Sequence, residues 1–164
     1  LFTTRVSAGS PLVDPYRVDL AVLLCEAVDA ASLDADNRGV RLVRRVPDSL
    51  PADADGMRLR QVFDNLLDNA VSYSTTGGVV TVDLGVRGEH VVLTITDEGT
   101  GIDATELEQV FGRFYRGENA RRLHVAGTGL GLTIVRSIVE AHGGVVSLES
   151  TLGEGTSACV LLPR

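Results

Sequence analysis

The chain contains no lysine; all 15 of its basic residues are arginine. A Walker A phosphate loop is therefore excluded, because its lysine is missing, and so is Schiff-base chemistry on a lysine amine. Cysteine is scarce. Cys25 and Cys159 stand far apart without CxxC spacing, each in an apolar pattern, and read as reduced core residues of a cytosolic domain. The three histidines, His90, His124 and His142, have no metal-like spacing and no GxSxG beside them, which removes a zinc centre and a hydrolase triad. No apolar run approaches the ~18 residues of a membrane span, and the N-terminus does not read as a signal peptide. A formal net charge of −7 argues against a broad nucleic-acid surface.

What remains is a globular composition. The 164 residues are 44% hydrophobic, enough for one domain that buries roughly 70% of its unfolded surface. The first residue is Leu1 and not Met, which reads as a piece of a longer protein. Residues 1–17 carry Ser, Gly and two Pro without periodicity and read as a tail or linker. From there, Asp19 is placed to cap an apolar-periodic helix over about 20–35, and Val40–Val46 alternates like a strand. Asp55 is placed to cap a second helix reaching about Ser74, with Leu59, Val62, Phe63, Leu66, Leu67 and Ala70 as its buried stripe.

Val79–Val86 and His90–Thr96 read as a hairpin joined by Arg87-Gly88-Glu89. Asp103–Phe111 reads as a short helix, and residues 112–126, poor in apolar anchors, as a mobile loop. Leu130–His142 is an amphipathic helix stopped by Gly143-Gly144. Val145–Ser150 and Thr156–Leu162 form a closing hairpin. Helices mixed with antiparallel strands favour an α+β fold, a two-layer sandwich.

Two glycine-rich breaks carry chemistry. Asp97-Glu98-Gly99-Thr100-Gly101 follows a strand, and Gly127-Thr128-Gly129-Leu130-Gly131-Leu132 opens a helix. Glycine lets main-chain N–H groups approach an anion, and a helix N-terminus adds partial positive charge. Either break alone is more often an ordinary turn; together they point to a phosphorylated ligand. A third element is Asp64-Asn65-Leu66-Leu67-Asp68-Asn69-Ala70. Asn65 and Asn69, spaced i,i+4, leave one face of the helix. Asparagine is a poor helix-interior residue, so the pair is either a solvated polar face or an amide stripe helping to hold Mg²⁺.

These motifs, in this order, resemble the catalytic ATP-binding domain of sensor histidine kinases, within the superfamily shared with gyrase, Hsp90 and MutL ATPases. The resemblance covers about residues 18–163. Asn65–Ala70 resembles the N box, Asp97–Ile102 the G1 box, Phe111–Arg116 the F box and Gly127–Leu132 the G2 box. Gly153-Glu154-Gly155-Thr156 resembles the last glycine-rich turn. The fold implied is the Bergerat sandwich, a mixed and mostly antiparallel sheet with helices on one face, over 18–164.

The resemblance implies roles for particular residues. Asp97 accepts a hydrogen bond from the adenine amine. Gly99, Gly101 and Ile102 let the chain pass under the base. Thr156 supports the Asp97 network through its hydroxyl or a water. Tyr73 lies against the adenine ring, with a core aromatic as the alternative. Asn69 is the Mg²⁺ ligand and Asn65 faces the same phosphates. Arg116 contacts the γ-phosphate. Gly127, Thr128, Gly129, Leu130, Gly131 and Leu132 cradle phosphate, and the loop 112–126 is a lid over ATP. Phe111 and Phe114 anchor that lid or pack against a partner domain. Ser72 departs from the pattern, since many relatives carry a basic residue there.

Four function classes follow. They are a protein-histidine kinase module, an anti-sigma-factor serine kinase, a hydrolytic ATPase and a non-catalytic nucleotide-binding domain. Hydrolytic and serine-kinase relatives place a Glu where this chain has Asn65, and an amide cannot abstract a proton at neutral pH. A neutral imidazole acceptor needs no such base. The resemblance therefore implies transfer from Mg·ATP to a histidine on a separate dimerisation (DHp) domain, with relay to a response regulator. It also implies a monomeric cytoplasmic domain without nucleic-acid or membrane contact, in a homodimeric, membrane-anchored parent.

Overall fold

The computed structural model describes residues 13–118 and 128–164. Strand β1 (Tyr16–Asp19) leads directly into helix α1 (Leu20–Arg38), followed by β2 (Arg41–Arg45), β3 (Pro51–Ala54) and helix α2 (Gly56–Tyr73). A long hairpin, β4 (Val79–Arg87) and β5 (His90–Asp97), precedes helix α3 (Gly131–Ala141) and the closing hairpin β6 (Val145–Thr151) and β7 (Gly155–Pro163).

Five strands form the main sheet in the order β2-β4-β5-β7-β6. Only β2 and β4 run parallel, and the other three pairings are antiparallel. Alternation explains the layering, because successive strand residues face opposite sides. Val80, Val82 and Leu84 of β4, Val91, Leu93 and Ile95 of β5, and Ala158, Val160 and Leu162 of β7 are buried under the helices. The intervening positions carry polar groups such as Thr96 and Ser157, whose hydroxyls meet at 2.9 Å on the outer face. Helix α2 lies centrally, packed on α1, on α3 and over β5. Its Phe63 is buried to 1% exposure, and truncating such a ring to alanine costs about 3–5 kcal/mol. This is the expected α+β sandwich, with its helices on one face of a mixed sheet.

Both caps read from the sequence are present. The Asp19 carboxylate accepts from the N–H groups of Ala21 and Val22, and also from Leu50 and the Ser49 hydroxyl. One side chain thus caps α1 and fastens the β2–β3 connection. Asp55 caps α2 by accepting from Arg58 N–H at 3.0 Å.

Three expectations need correction. Tyr16 and Arg17, read as the end of a tail, belong to β1, which pairs antiparallel with β3 in a separate two-stranded sheet. Residues 103–111 are not a helix but successive tight turns. Gly112 N–H, for example, reaches Gln109 O at 2.8 Å, an i→i−3 bond. The two cysteines are half-buried rather than core residues. Among the described residues no helix is long and apolar enough to cross a membrane.

Candidate functional site

The buried stripe of α2 fixes how the helix sits on the sheet, and this turns the neighbouring Asn stripe toward a cavity of about 300 Å³. Asn65, Asn69 and Tyr73, at i, i+4 and i+8, line it together with Asp68 and Ser72. The Asn65 amide Nδ2 donates to Gln61 O at 2.8 Å. Its Oδ1 lies so near Gly131 that a β-carbon there would stand 2.9 Å away. Burial raises the Asp68 carboxyl above the usual value, and the charges of Asp64 and Asp34 add to the effect. Burial likewise raises the Tyr73 phenol, partly countered by the Arg116 guanidinium, which lies within electrostatic reach.

A cross-strand row runs beneath the cavity, and its Asp97 and Thr156 form the floor. Register places Ser150 of β6 opposite Thr156 of β7, and Thr156 opposite Asp97 of β5. Asp97 is only 7% exposed. Its carboxyl is pushed up to about 6 by that burial, against the pull of the Thr156 and Gly99 N–H groups. The Thr156 N–H reaches Asp97 Oδ1 at 3.3 Å. Two glycines make this close approach feasible. Gly155 adopts φ +121°, and a β-carbon there would fall 2.0 Å from Asp97 O; Gly101 adopts φ +64°, and one there would fall 2.0 Å from Thr151 O. Both positions lie in backbone space that L side chains rarely adopt.

A third wall comes from the turns after β5. Glu106, Val110, Tyr115, Arg116 and Gly117 line the cavity. The Tyr115 hydroxyl donates to Glu106 Oε1 at 2.8 Å, and the same oxygen accepts from Glu118 N–H at 3.0 Å. Phe111 anchors this wall to α3. Arg136 stacks its guanidinium 4.0 Å from the Phe111 ring centroid, and Thr133 Oγ1 donates to Phe111 O at 3.0 Å. Phe114, at φ +60°, is 71% exposed.

The start of α3 supplies the fourth side through Thr128, Gly129, Gly131 and Leu132. Among the described residues no side chain caps this helix at Leu130, and such a helix start favours an anion.

The structure thus gathers Asn65, Asn69, Tyr73, Asp97, Gly101, Ile102, Arg116, Thr128, Gly129, Gly131, Leu132 and Thr156 around one cavity. Two expected residues do not line it. Gly99 packs against the carbonyl of Tyr73, where a β-carbon would stand 2.2 Å away, and Leu130 occupies the cap position of α3. Gly127, Arg121, Arg122 and His124 lie outside the described residues, as do residues 119–126 of the lid segment as a whole. Thr156 meets Asp97 through its main chain, not through its hydroxyl, which faces Ser150 at 2.8 Å. Glu106 and Ser150 escaped the sequence reading. Each is a common polar residue, and neither the Glu106–Tyr115 bond across nine positions nor the Ser150–Ile102 bond across 48 is marked by a sequence motif.

Buried carboxylate floor, amide stripe and uncapped helix start, on one face of a mixed sheet, define a nucleotide-binding domain of the Bergerat class. Residues 54–164 match the family of histidine kinase-, DNA gyrase B- and HSP90-like ATPases. An uncharacterised sensor-like histidine kinase of Rhizobium meliloti is 40% identical over 163 residues, covering 98% of this chain and 31% of that protein. The mycobacterial sensor histidine kinase MprB superposes with a TM-score of 0.78 at 30% identity, covering 90% of this chain and 97% of that one. A structure of full-length ShkA in complex with AMPPNP superposes with a TM-score of 0.81 at 26% identity, covering 95% of this chain and 32% of that one. The chain belongs to this ATPase family, as a catalytic domain of the bacterial sensor histidine kinase type. It spans about a third of the length of the Rhizobium kinase.

Proposed function

We propose that this domain binds Mg·ATP in the cavity between α2, β5–β7 and α3, and donates the γ-phosphate to a histidine on a separate dimerisation domain. The observation that carries the reading is Asp97, a carboxylate buried at the cavity floor in a row with Thr156 and reached by the Thr156 and Gly99 N–H groups. An acceptor fixed in such a place fits the exocyclic amine of adenine. Leaving that acceptor buried and unpaired costs about 1–3 kcal/mol. Ile95, Ala158 and Leu148 supply apolar surface for a base beside it.

Away from Asp97, the lining suits phosphates. The start of α3, with Asn65 beside Gly131, together with Arg116 and Asn69, would receive them. Among the described residues no cluster of three or more His, Cys, Asp or Glu side chains forms a dedicated metal cage. The donor set therefore fits a magnesium that arrives on the nucleotide and takes one amide oxygen, from Asn69. When bound, such an ion neutralises phosphate charge. The residues of this chain orient the nucleotide: Asn65 from one helical turn away and Arg116 at the terminal phosphate. Transfer would form a phosphorus–nitrogen bond at the acceptor imidazole and break the bond to the ADP oxygen.

Asn65 favours this reading over hydrolysis, since its amide, already donating to Gln61 O, is no base for water. The wider picture is proposed on the same footing. The domain would act from the cytoplasm in a homodimeric, membrane-anchored parent, and the phosphoryl group would pass to a response regulator. A stand-alone anti-sigma-type serine kinase or a non-catalytic ATP-binding domain is the rival. Calorimetric titration with a non-hydrolysable ATP analogue tests the site. Saturable, Mg²⁺-assisted binding that Asp97→Asn abolishes is expected, and absence of binding at millimolar nucleotide would overturn the reading.

A further inference from the structure

Ser150 makes three hydrogen bonds with one oxygen. Its Oγ lies 2.7 Å from Gly155 O, 2.8 Å from Ile102 N and 2.8 Å from Thr156 Oγ1. Two oxygens approach to 2.7 Å only with a hydrogen between them, and a carbonyl has none to give. The single Ser150 hydrogen therefore points at Gly155 O. Ile102 N–H donates into one Ser150 lone pair, and the remaining bond must be a donation from Thr156. With its hydrogen spent on Ser150, the Thr156 hydroxyl turns only lone pairs to the cavity it lines. Asp97, next in the same row, presents carboxylate oxygens.

We propose that Ser150 is a specificity-positioning residue. By drawing the Thr156 hydrogen away from the cavity, it makes the Asp97–Thr156 end accept hydrogen bonds only. That end admits a purine with an amino group at its 6 position and repels one with an oxo group there. The proposal rests on the nucleotide reading above and goes beyond it, since it assigns base discrimination to a residue that does not line the cavity.

Removing the Ser150 hydroxyl frees the Thr156 hydrogen to rotate into the cavity and meet a 6-oxo group. The test compares non-hydrolysable analogues of ATP and ITP by calorimetry at pH 8 with Mg²⁺, for wild type, Ser150→Ala, Ser150→Thr and Thr156→Val. Wild type should prefer the ATP analogue, Ser150→Ala should narrow that preference about tenfold, and Ser150→Thr should restore it. A purely structural role weakens both nucleotides alike and leaves the ratio unmoved, and that outcome overturns the proposal. Should Ser150→Ala fail to fold, Thr156→Val decides. Loss of ATP-analogue affinity with ITP-analogue affinity unchanged supports the assignment, and equal loss of both overturns it. Wild type that binds ATP without preferring it overturns this proposal alone. Wild type that binds neither nucleotide overturns the nucleotide reading and this proposal with it.

Discussion

Asp55 donates its main-chain N–H to Nε2 of His142, 3.1 Å away and 87 residues further along the chain. The other ring nitrogen, Nδ1, lies 2.8 Å from Ile138 O and carries the hydrogen, since a carbonyl only accepts. His142 thus ties the C-terminus of α3 to the N-terminus of α2 as a neutral ring. The sequence placed His142 at the end of an amphipathic helix, and the structure adds the tie between helices.

Replacing His142 with alanine leaves the Asp55 N–H and the end of α3 without this partner. The expected loss is about 1–3 kcal/mol of folding stability, the usual cost of a partly buried orphaned donor. Urea denaturation of His142→Ala against wild type measures it. An unchanged midpoint would show that water replaces the imidazole at no cost.

Asp97 gives ligand-free stability a distinctive pH dependence. Its folded value is raised from 3.8 to about 6, so between those values the native state holds more protons than the unfolded chain, and stability falls as pH rises. The full displacement corresponds to about 3 kcal/mol. Asp19 and Asp55 act with the opposite sign and lower in pH. At Asp19 the Leu50 N–H and then the Ser49 hydroxyl hold the carboxyl below 3.8. At Asp55 burial opposes ionisation, but the Arg58 and Asp14 N–H groups together with the Arg58 charge outweigh it. Their contribution is present above 3.8 and is lost as pH falls through their folded values. Thermal melts of wild type and Asp97→Asn between pH 4 and pH 7 should show the slope in the first and its absence in the second.

Thr100 Oγ1 is buried and has no hydrogen-bond partner among the described residues. Thr100→Val keeps the shape and removes the orphaned hydroxyl, so the variant should gain about 1 kcal/mol and melt at higher temperature. A lower melting temperature would mean that the hydroxyl finds a partner in solution.

Glu106 holds the Tyr115 hydroxyl and the Glu118 N–H on one oxygen, bracing the stretch that carries Arg116. Tyr115→Phe removes one of these bonds, at about 1 kcal/mol, or several-fold in nucleotide affinity if the brace is needed for binding. Stopped-flow dissociation of a fluorescent ATP analogue should show faster release from Tyr115→Phe. Equal release rates would place the brace outside nucleotide retention.

How much of this was legible in advance depended on periodicity. The α2 stripe, its Asp55 cap and the Asn65–Asn69 pair were readable because a helix writes its packing into consecutive residues. The two hairpins were readable for the same local reason. Strands β1 and β3 were not, since each is only four residues long, too short for alternation to stand out, and each owes its pairing to a distant partner, as Tyr16 does to Ala54 in the register. Residues 103–111 misled because their i→i−3 turns present much the same spacing as a helix. Within the site, Asp97 and the asparagines stood in recognisable motifs, whereas the bond from Ile102 N–H to Ser150 joins two segments 48 residues apart, which no single stretch of sequence encodes.

The 18 residues of α2 make a rod about 27 Å long. At one end Asp55 grips Asp14 of the entering chain through its Oδ2, and along the other half Asn65, Asn69 and Tyr73 form a cavity wall. A helix bends far more readily than it shortens. The hold on the entering chain and the wall of the cavity are therefore two ends of one continuous hydrogen-bonded element.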